Sequence, residues 1–437
     1  MDPITIALIT VIFVFVLVLL GVHIGVALAL LSVLGIWGIT GKPQVAISLL
    51  QTTAYNAVMD YVFAVIPLFV LMGILATLSG ATRDLFSSAQ VVFGRVRGGI
   101  GIATVIANAI FAAITGVSVA SAAVFSKLAI PEMERLDYDR KFSYGIVAGS
   151  AILGMLIPPS ILMIVYGVLT EQSIGRLFAA GVGPGLLVTA ILSLGIWLMI
   201  LFKPPLGGNL EKMPHLDAAT VFRIATKPWG VILLIAMVLG GIYGGVFTPT
   251  EAGGVGAAGA MLLVIVKRKL TWASITEILM DIGRTTASIF LLLIAAQMYS
   301  RMLTISGLAT KFSAWAAALP VAPIMIVLLF IVVFLLLGMI IDSVSILLLT
   351  IPIMFPVITK LGYDPIWFGM VSIVAIEIGL LTPPFGMVVF AMKASLGSSV
   401  KVEEIFHGSI PFMAMLVLAL VCIIAFPPLS TWLPSLM

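Results

Sequence analysis

Apolar runs of roughly 17–25 residues recur along the whole chain, beginning with "ITIALITVIFVFVLVLLG" (4–21), and a helix of that length crosses about 30 Å of hydrocarbon. Hydrocarbon offers no hydrogen bonds, so every backbone donor and acceptor must find its partner inside the protein, and a single apolar segment achieves that as a helix. With 62% hydrophobic and 9% charged residues and a mean hydropathy of +1.28, the 437-residue chain falls outside the composition of water-soluble domains. It reads as an all-α polytopic membrane protein. Asp2 stands where a cleavable signal would carry basic residues, and the first run leads directly into another, so the first span is expected to be retained.

Two of these runs are interrupted in the same way. "LGMLIPPSILM" (153–163) contains Pro158 and Pro159, and "IGLLTPPFGMV" (378–388) contains Pro383 and Pro384. A proline removes the donor for the carbonyl four residues earlier, which is expected to free the carbonyls of Gly154, Met155, Gly379 and Leu380. Beyond each break a new half-helix would begin with free N–H groups and the positive end of its dipole. Bare carbonyls suit a cation and bare N–H groups suit a carboxylate, the pairing expected where an anionic substrate travels with sodium.

The interruptions belong to an internal repeat. "LDYDRKFSYGIVAGSAILGMLIPP" (136–159) aligns with "LGYDPIWFGMVSIVAIEIGLLTPP" (361–384), an offset of 361 − 136 = 225 residues. At that offset Pro131 falls on Pro356 and Lys42 on Lys267; close to it, "SGATRDLF" (79–86) matches "SGLATKFS" (306–313). The copies occupy 1–206 and 228–437, joined by the polar stretch 207–227, a linker placed on the cytoplasmic side.

In the first copy the hydropathy predicts spans near 4–20, 23–39 and 60–80, an interfacial arm over 42–60, a hairpin over 101–135 with limbs 101–116 and 118–131, a broken helix over 141–169, and a span over 177–202. The second copy predicts 228–247, 250–266, an interfacial arm over 271–284, 286–306, a hairpin over 321–359 with limbs 321–338 and 343–359, a broken helix over 365–395, and 406–426. Paired limbs start and finish on one side whether they cross or re-enter, so each copy makes an odd number of net crossings. The second copy should therefore be inverted relative to the first. With the N-terminus outside, Lys42, Arg176, Arg301, Lys311 and Lys360 fall on the outer face, and the rest of the 22 Lys and Arg residues fall inside. That asymmetry predicts both termini on the periplasmic side.

The limbs meet at "TGVSVAS" (115–121) and "GMIIDSVS" (338–345), where Ser118 falls on Ser343 and Val117 on Asp342. Gly, Ser and Asp at a hairpin tip supply carbonyl, hydroxyl and carboxylate oxygens, hard donors suited to Na⁺. Asp342 lies in an apolar run, where a carboxylate is costly unless paired or bound to an ion. Thr382 could complete an ion shell or satisfy a freed carbonyl. Glu377, six residues before Pro383, fits either a proton or cation site or a structural partner for a polar group on another helix. "GVGPG" (181–185) reads as helix-packing glycine. His23, His215 and His407 are scattered, Cys422 stands alone, and "GRVRGGIG" (94–101) lacks the ending of a phosphate loop; no metal, redox or ATP chemistry is expected.

The stretches "GSAILGMLIPPSILMIVYGVLTEQSIGRLFAAGVGPGLL" (149–187), "TGVSVASAA" (115–123) and "EIGLLTPPFGMVVF" (377–390) resemble the large membrane subunit of tripartite ATP-independent periplasmic (TRAP) transporters, and the likeness runs through essentially the whole chain. The resemblance implies a sodium-driven elevator transporter of the bacterial inner membrane with two inverted repeats. It implies two partners, a small four-helix membrane subunit and a soluble periplasmic substrate-binding protein, and an organic-acid substrate such as a C4-dicarboxylate or a sialic acid. Carried onto this chain, the Na⁺ regions are Gly116, Ser118 and Ser121 with Ile157 and Pro158, and Gly338, Asp342, Ser343 and Ser345 with Leu381, Thr382 and Pro383. The substrate would lie against Ser118, Pro159, Ser160, Ser343 and Pro384. Na⁺ is the coupling ion, and no other cofactor is implied. Because Met1 leads directly into the first span, the small subunit is expected to be a separate chain. The nearest rival reading is a stand-alone carboxylate symporter or antiporter of similar architecture. An intramembrane enzyme would need convergent catalytic groups that two buried acids do not provide.

Overall fold

The structure, a computed structural model, describes residues 2–212, 216–398 and 400–437. Among these residues the regular structure is helical. In the first copy the helices are α1 (Pro3–Leu19), α2 (Ile24–Thr40), α3 (Pro43–Met59), α4 (Val65–Leu78), α5 (Ala81–Phe93), α6 (Gly99–Thr115), α7 (Ser118–Arg135), α8 (Arg140–Ala151), the single turn α9 (Leu153–Leu156), α10 (Ile161–Thr170) and α11 (Ile174–Phe202). A short α12 (Ala218–Ala225) lies in the linker. The second copy contains α13 (Trp229–Tyr243), α14 (Pro249–Val266), α15 (Trp272–Ser306), α16 (Leu308–Ala317), α17 (Pro323–Gly338), α18 (Ser343–Lys360), α19 (Pro365–Gly379), α20 (Met387–Leu396), α21 (Val402–Ala425) and the terminal turn α22 (Pro428–Thr431). Seven described helices are long and apolar enough to cross a membrane, or eight when the bent pair Arg140–Leu156 and Ile161–Thr170 counts as one broken span.

Helix order repeats at the sequence offset. Displaced by 225 residues, the bounds of α7 become those of α18, Ser118 to Ser343 and Arg135 to Lys360, and the start of α2 becomes that of α14. Packing repeats with exchanged partners. α2 lies along α15 and α4 along α14; α7 packs on α20 and α10 on α18; α8 packs on α21 and α11 on α19. The tightest of these crossings is α8 with α21. A Cβ on Gly145 would overlap the Gly408 carbonyl, and one on Gly408 would overlap the Lys141 carbonyl, so small residues let the two backbones touch. The outer helices keep an apolar face open: Leu8, Ile12 and Phe13 on α1, and Ile232 and Leu233 on α13, are exposed in the isolated chain, as a lipid-facing surface requires.

One expectation about a connection needs correction. The arm at 271–284 and the span at 286–306 are not separate elements: α15 runs unbroken from Trp272 to Ser306, 35 residues, started by a capping box between Thr271 and Ser274. The first copy does divide here. Asp60 accepts a hydrogen bond from the Val62 amide at 2.9 Å and starts a short 3₁₀ turn, and Pro67 occupies the first turn of α4, where its missing N–H is harmless. No proline lies between Trp272 and Ser306, so nothing ends the helix there. The polar linker 207–227 is partly folded. Gly207 forms an isolated bridge with Tyr138, the Asn209 amide donates to the Leu136 carbonyl at 2.7 Å, and α12 docks on α5, where the Ser88 hydroxyl donates to the Ala225 carbonyl at 2.8 Å. His215 lies outside the described residues. On the same side, Lys267 at the end of α14 pairs with Asp84 of α5 at 2.5 Å.

Candidate functional site

Short turns join α6 to α7 and α17 to α18, the chain leaves the helix at each Pro pair, and each turn between helices, tip 1 in the first copy and tip 2 in the second, rests on the break of its own copy. α6 stops at Thr115, Gly116 turns the chain with φ +61°, Val117 is extended, and α7 starts at Ser118. The fit is backbone against backbone: a Cβ on Gly116 would lie 2.7 Å from the Pro159 carbonyl oxygen, and one on Gly154 would lie 2.8 Å from that of Val117. The Ile161 amide, first of α10, donates to the Gly116 carbonyl at 3.5 Å. In the second copy α17 ends at Gly338 and α18 begins at Ser343. A Cβ on Gly338 would lie 2.7 Å from Cα of Gly379, and the Phe385 amide donates to the Met339 carbonyl at 3.3 Å. The bonds Pro158–Pro159 and Pro383–Pro384 are both cis. Break 1 is largely buried, with Ile157 half-buried and Pro158 and Pro159 buried, whereas Pro383, Pro384 and Phe385 of break 2 are exposed.

Three of the four carbonyls expected to be free are not. Ser160, the N-cap of α10, donates to the Met155 carbonyl at 2.5 Å; the Thr382 amide donates to Gly379 at 2.9 Å; and the Val388 amide donates to Leu380 at 3.4 Å. The chain repairs most of the defect that its prolines create, because an unpartnered carbonyl at membrane depth costs several kcal/mol. Two candidate hydroxyls do this local work: Ser160 as described, and Thr382, which donates to the Ile378 carbonyl at 3.0 Å. Asp342 is half-buried and caps α18, its Oδ1 accepting from the Ser345 amide at 3.0 Å. Among the described residues its other oxygen accepts no hydrogen bond. Ser121 and Ser126, both buried on α7, have hydroxyls with no hydrogen-bond partner among the described residues. Ser345 and Leu381 are buried close to the tips.

Ser118 and Ser343 meet on one carboxylate. Glu377, on α19 and fully buried, accepts from the Ser118 hydroxyl at Oε2 and from the Ser343 hydroxyl at Oε1, the latter at 2.7 Å. The sequence marks Glu377 as an unusual acid in an apolar run but leaves its purpose open. Its junction with Ser118, 259 residues away, has no local signature.

Beside tip 1 lies a cavity of about 620 Å³, lined by Gly73 and Thr77 of α4, Thr115 and Val117 of the tip, Ile161 of α10, and Glu277, Asp281 and Arg284 of α15. That volume accommodates a small organic acid. No cluster of three or more His, Cys, Asp or Glu residues able to hold a metal occurs among the described residues.

Residues 11–429 match the family model described as "Tripartite ATP-independent periplasmic transporter, DctM component". The chain belongs to this family. The chain is 35% identical over 394 residues, 90% of its length and 89% of the relative, to the "C4-dicarboxylate TRAP transporter large permease protein DctM" of Pseudomonas aeruginosa. It is 30% identical over 378 residues, 86% of this chain and 87% of the relative, to the "Sialic acid TRAP transporter large permease protein SiaM" of Vibrio cholerae. The fold is similar to that of the Alcanivorax borkumensis YdaH transporter, with a TM-score of 0.64 and 16% identity across 88% of this chain and 90% of that one. A permease of this family is a multi-span membrane protein and not an enzyme.

Proposed function

We propose that the chain is the large permease of a Na⁺-coupled importer of organic acids, acting in the bacterial inner membrane with a small four-helix subunit and a periplasmic binding protein. The observation that carries this reading is the repeated contact of tip on break. Each copy presents helix starts and non-helical backbone at one place, where a carboxylate and cations could be held together. A C4-dicarboxylate, a sialic acid or a similar carboxylate fits that chemistry, and two of the relatives carry such substrates in their names.

Exchanged packing, in which α2 lies on α15 while α4 lies on α14, is what a two-fold relation between the copies produces. Combined with an odd number of crossings per copy, it supports inverted repeats over 1–206 and 228–437, with both termini periplasmic. The hairpins and broken helices then form a mobile body that rides against α2, α4, α14 and α15 in an elevator motion. Tip 1 opens toward the cytoplasm and tip 2 toward the periplasm. Coupling requires that sodium favour the substrate-competent arrangement over its alternative.

In proteoliposomes containing this chain, its small subunit and its binding protein, carboxylate uptake is expected to require all three proteins and an inward Na⁺ gradient. Uptake by this chain alone would instead identify a stand-alone symporter, and uptake indifferent to sodium would remove the coupling. Within the same assay Asp342→Asn separates two roles of that side chain. Asparagine caps a helix as well as aspartate does, so the fold is retained while the charge is lost. Half-saturating sodium is expected to rise by about tenfold or more, as for the loss of one anionic ligand or its support; an unchanged value would leave Asp342 as a helix cap alone.

A further inference from the structure

We propose that Glu377 is a single anionic anchor shared by the two tip-centred sodium sites, positioning Ser118 and Ser343 and coupling occupancy of one site to the other. The inference rests on the sodium-coupled reading and goes beyond it, since that reading treats the two sites as separate. Three observations converge on this residue. Glu377 is fully buried on α19, and among the described residues it enters no ion pair with Lys, Arg or His. A carboxyl group at membrane depth stays ionised only where positive charge or donated hydrogen bonds are available to it, and otherwise takes up a proton. Its two oxygens are divided between two hydroxyls that the repeat offset makes equivalent, Ser118 on Oε2 and Ser343 on Oε1. Each of those serines is the first residue of its helix, α7 or α18, so two helix N-termini lie close to the carboxylate and favour its charge.

The consequence is directional. A serine hydroxyl has one proton and two lone pairs. With the proton given to Glu377, the lone pairs of Ser118 and Ser343 turn away from α19, and a cation can use them. The carboxylate therefore does not need to touch sodium to matter: it orients one hydroxyl in each copy and lowers the electrostatic cost of bringing in either ion. At the same offset the first copy has Ile152 in place of Glu377, so a single charge serves both sites. A cation arriving at one tip fixes the geometry of that carboxylate, and with it the hydroxyl of the other tip; cooperativity is positive where this ordering outweighs the repulsion between the two cations.

The test uses Glu377→Gln, which keeps size and shape but removes the charge and one of the two acceptors. Sodium is titrated against uptake by the full three-protein system and, independently, against the thermal unfolding temperature of the purified permease complex without substrate. Expected in both readouts is a rise of about 10–100-fold in half-saturating sodium, the range seen when a residue supporting metal ligands is removed, with a Hill coefficient falling toward one. A merely structural role would lower the unfolding temperature at every sodium concentration without moving the midpoint. A wild-type complex that sodium neither stabilises nor drives would refute the underlying coupling instead; a responsive wild type with an unmoved midpoint in Glu377→Gln would overturn the anchor. If Glu377→Gln does not fold, Glu377→Asp, which keeps the charge but shortens its reach to the two serines, is titrated in the same way, and an unmoved midpoint there is equally decisive.

Discussion

Gly379→Val is expected to abolish uptake, with a loss of more than about a hundredfold, and to flatten the response of unfolding temperature to sodium. The reason is space. Gly379 sits in the last turn of α19, where a Cβ would already lie 2.7 Å from Cα of Gly338 on the hairpin and 2.9 Å from the Leu335 carbonyl oxygen. These contacts are backbone atoms, which cannot rotate aside as a side chain could. One surplus methylene in a packed interior costs about 1–3 kcal/mol, and valine brings three carbons into a gap that rejects the first. α17 must then move off α19, which withdraws the turn that leads to Asp342 and Ser343 from break 2. Because Ser343 donates to Glu377 from that turn, the displacement also disturbs the junction with Ser118. Gly379→Ala, with one carbon added, should lie between valine and wild type. Radiolabelled carboxylate uptake and thermal unfolding at several sodium concentrations measure both effects. Full activity in Gly379→Val would mean that α17 and α19 are not pressed together at any required step.

Much of this arrangement is written locally. Runs of apolar residues give the spans, Gly116 with its positive φ gives tip 1, and Pro158 and Pro383 give the breaks, because each acts on its own few backbone groups. The offset read from the sequence transfers the bounds of α7 to those of α18 because the same residue types start and stop both helices. What escaped depends on partners that are far apart or on what is missing. α15 continues through 285 for lack of a proline, and the absence of a breaker is a weak signal beside the polarity of 271–284. The carbonyls of Met155, Gly379 and Leu380 find donors in Ser160, Thr382 and Val388, a repair that becomes apparent only once the loop is closed. Glu377 is the clearest case. Burial of an acid states that a partner exists, and its sequence neighbourhood, apolar on both sides, contains no hint that the partners are two serines from different copies.

A second substitution separates movement from binding. α4 presses on tip 1 at Gly73, where a Cβ would lie 2.9 Å from the Ile114 carbonyl oxygen and 3.3 Å from Cα of Thr115, at the wall of the cavity beside the tip. In the elevator reading α4 is scaffold and tip 1 is cargo-bearing, so this contact exists in one arrangement and is broken in the other. Gly73→Val penalises only the arrangement in which the two backbones touch. An overpacking cost of about 1–3 kcal/mol confined to one state shifts the equilibrium between states by about 5–150-fold. Uptake should fall by a factor in that range, while sodium still stabilises the complex against unfolding with a midpoint moved by no more than the shift in population, since the atoms that Gly73 meets are backbone of Ile114 and Thr115 at the end of α6. That combination, slow transport with intact ion binding, is opposite to the outcome argued for Gly379→Val, where both fail together. If Gly73→Val instead lost sodium stabilisation along with uptake, the α4 contact would belong to the ion site itself, and tip 1 would not slide past the scaffold at this position.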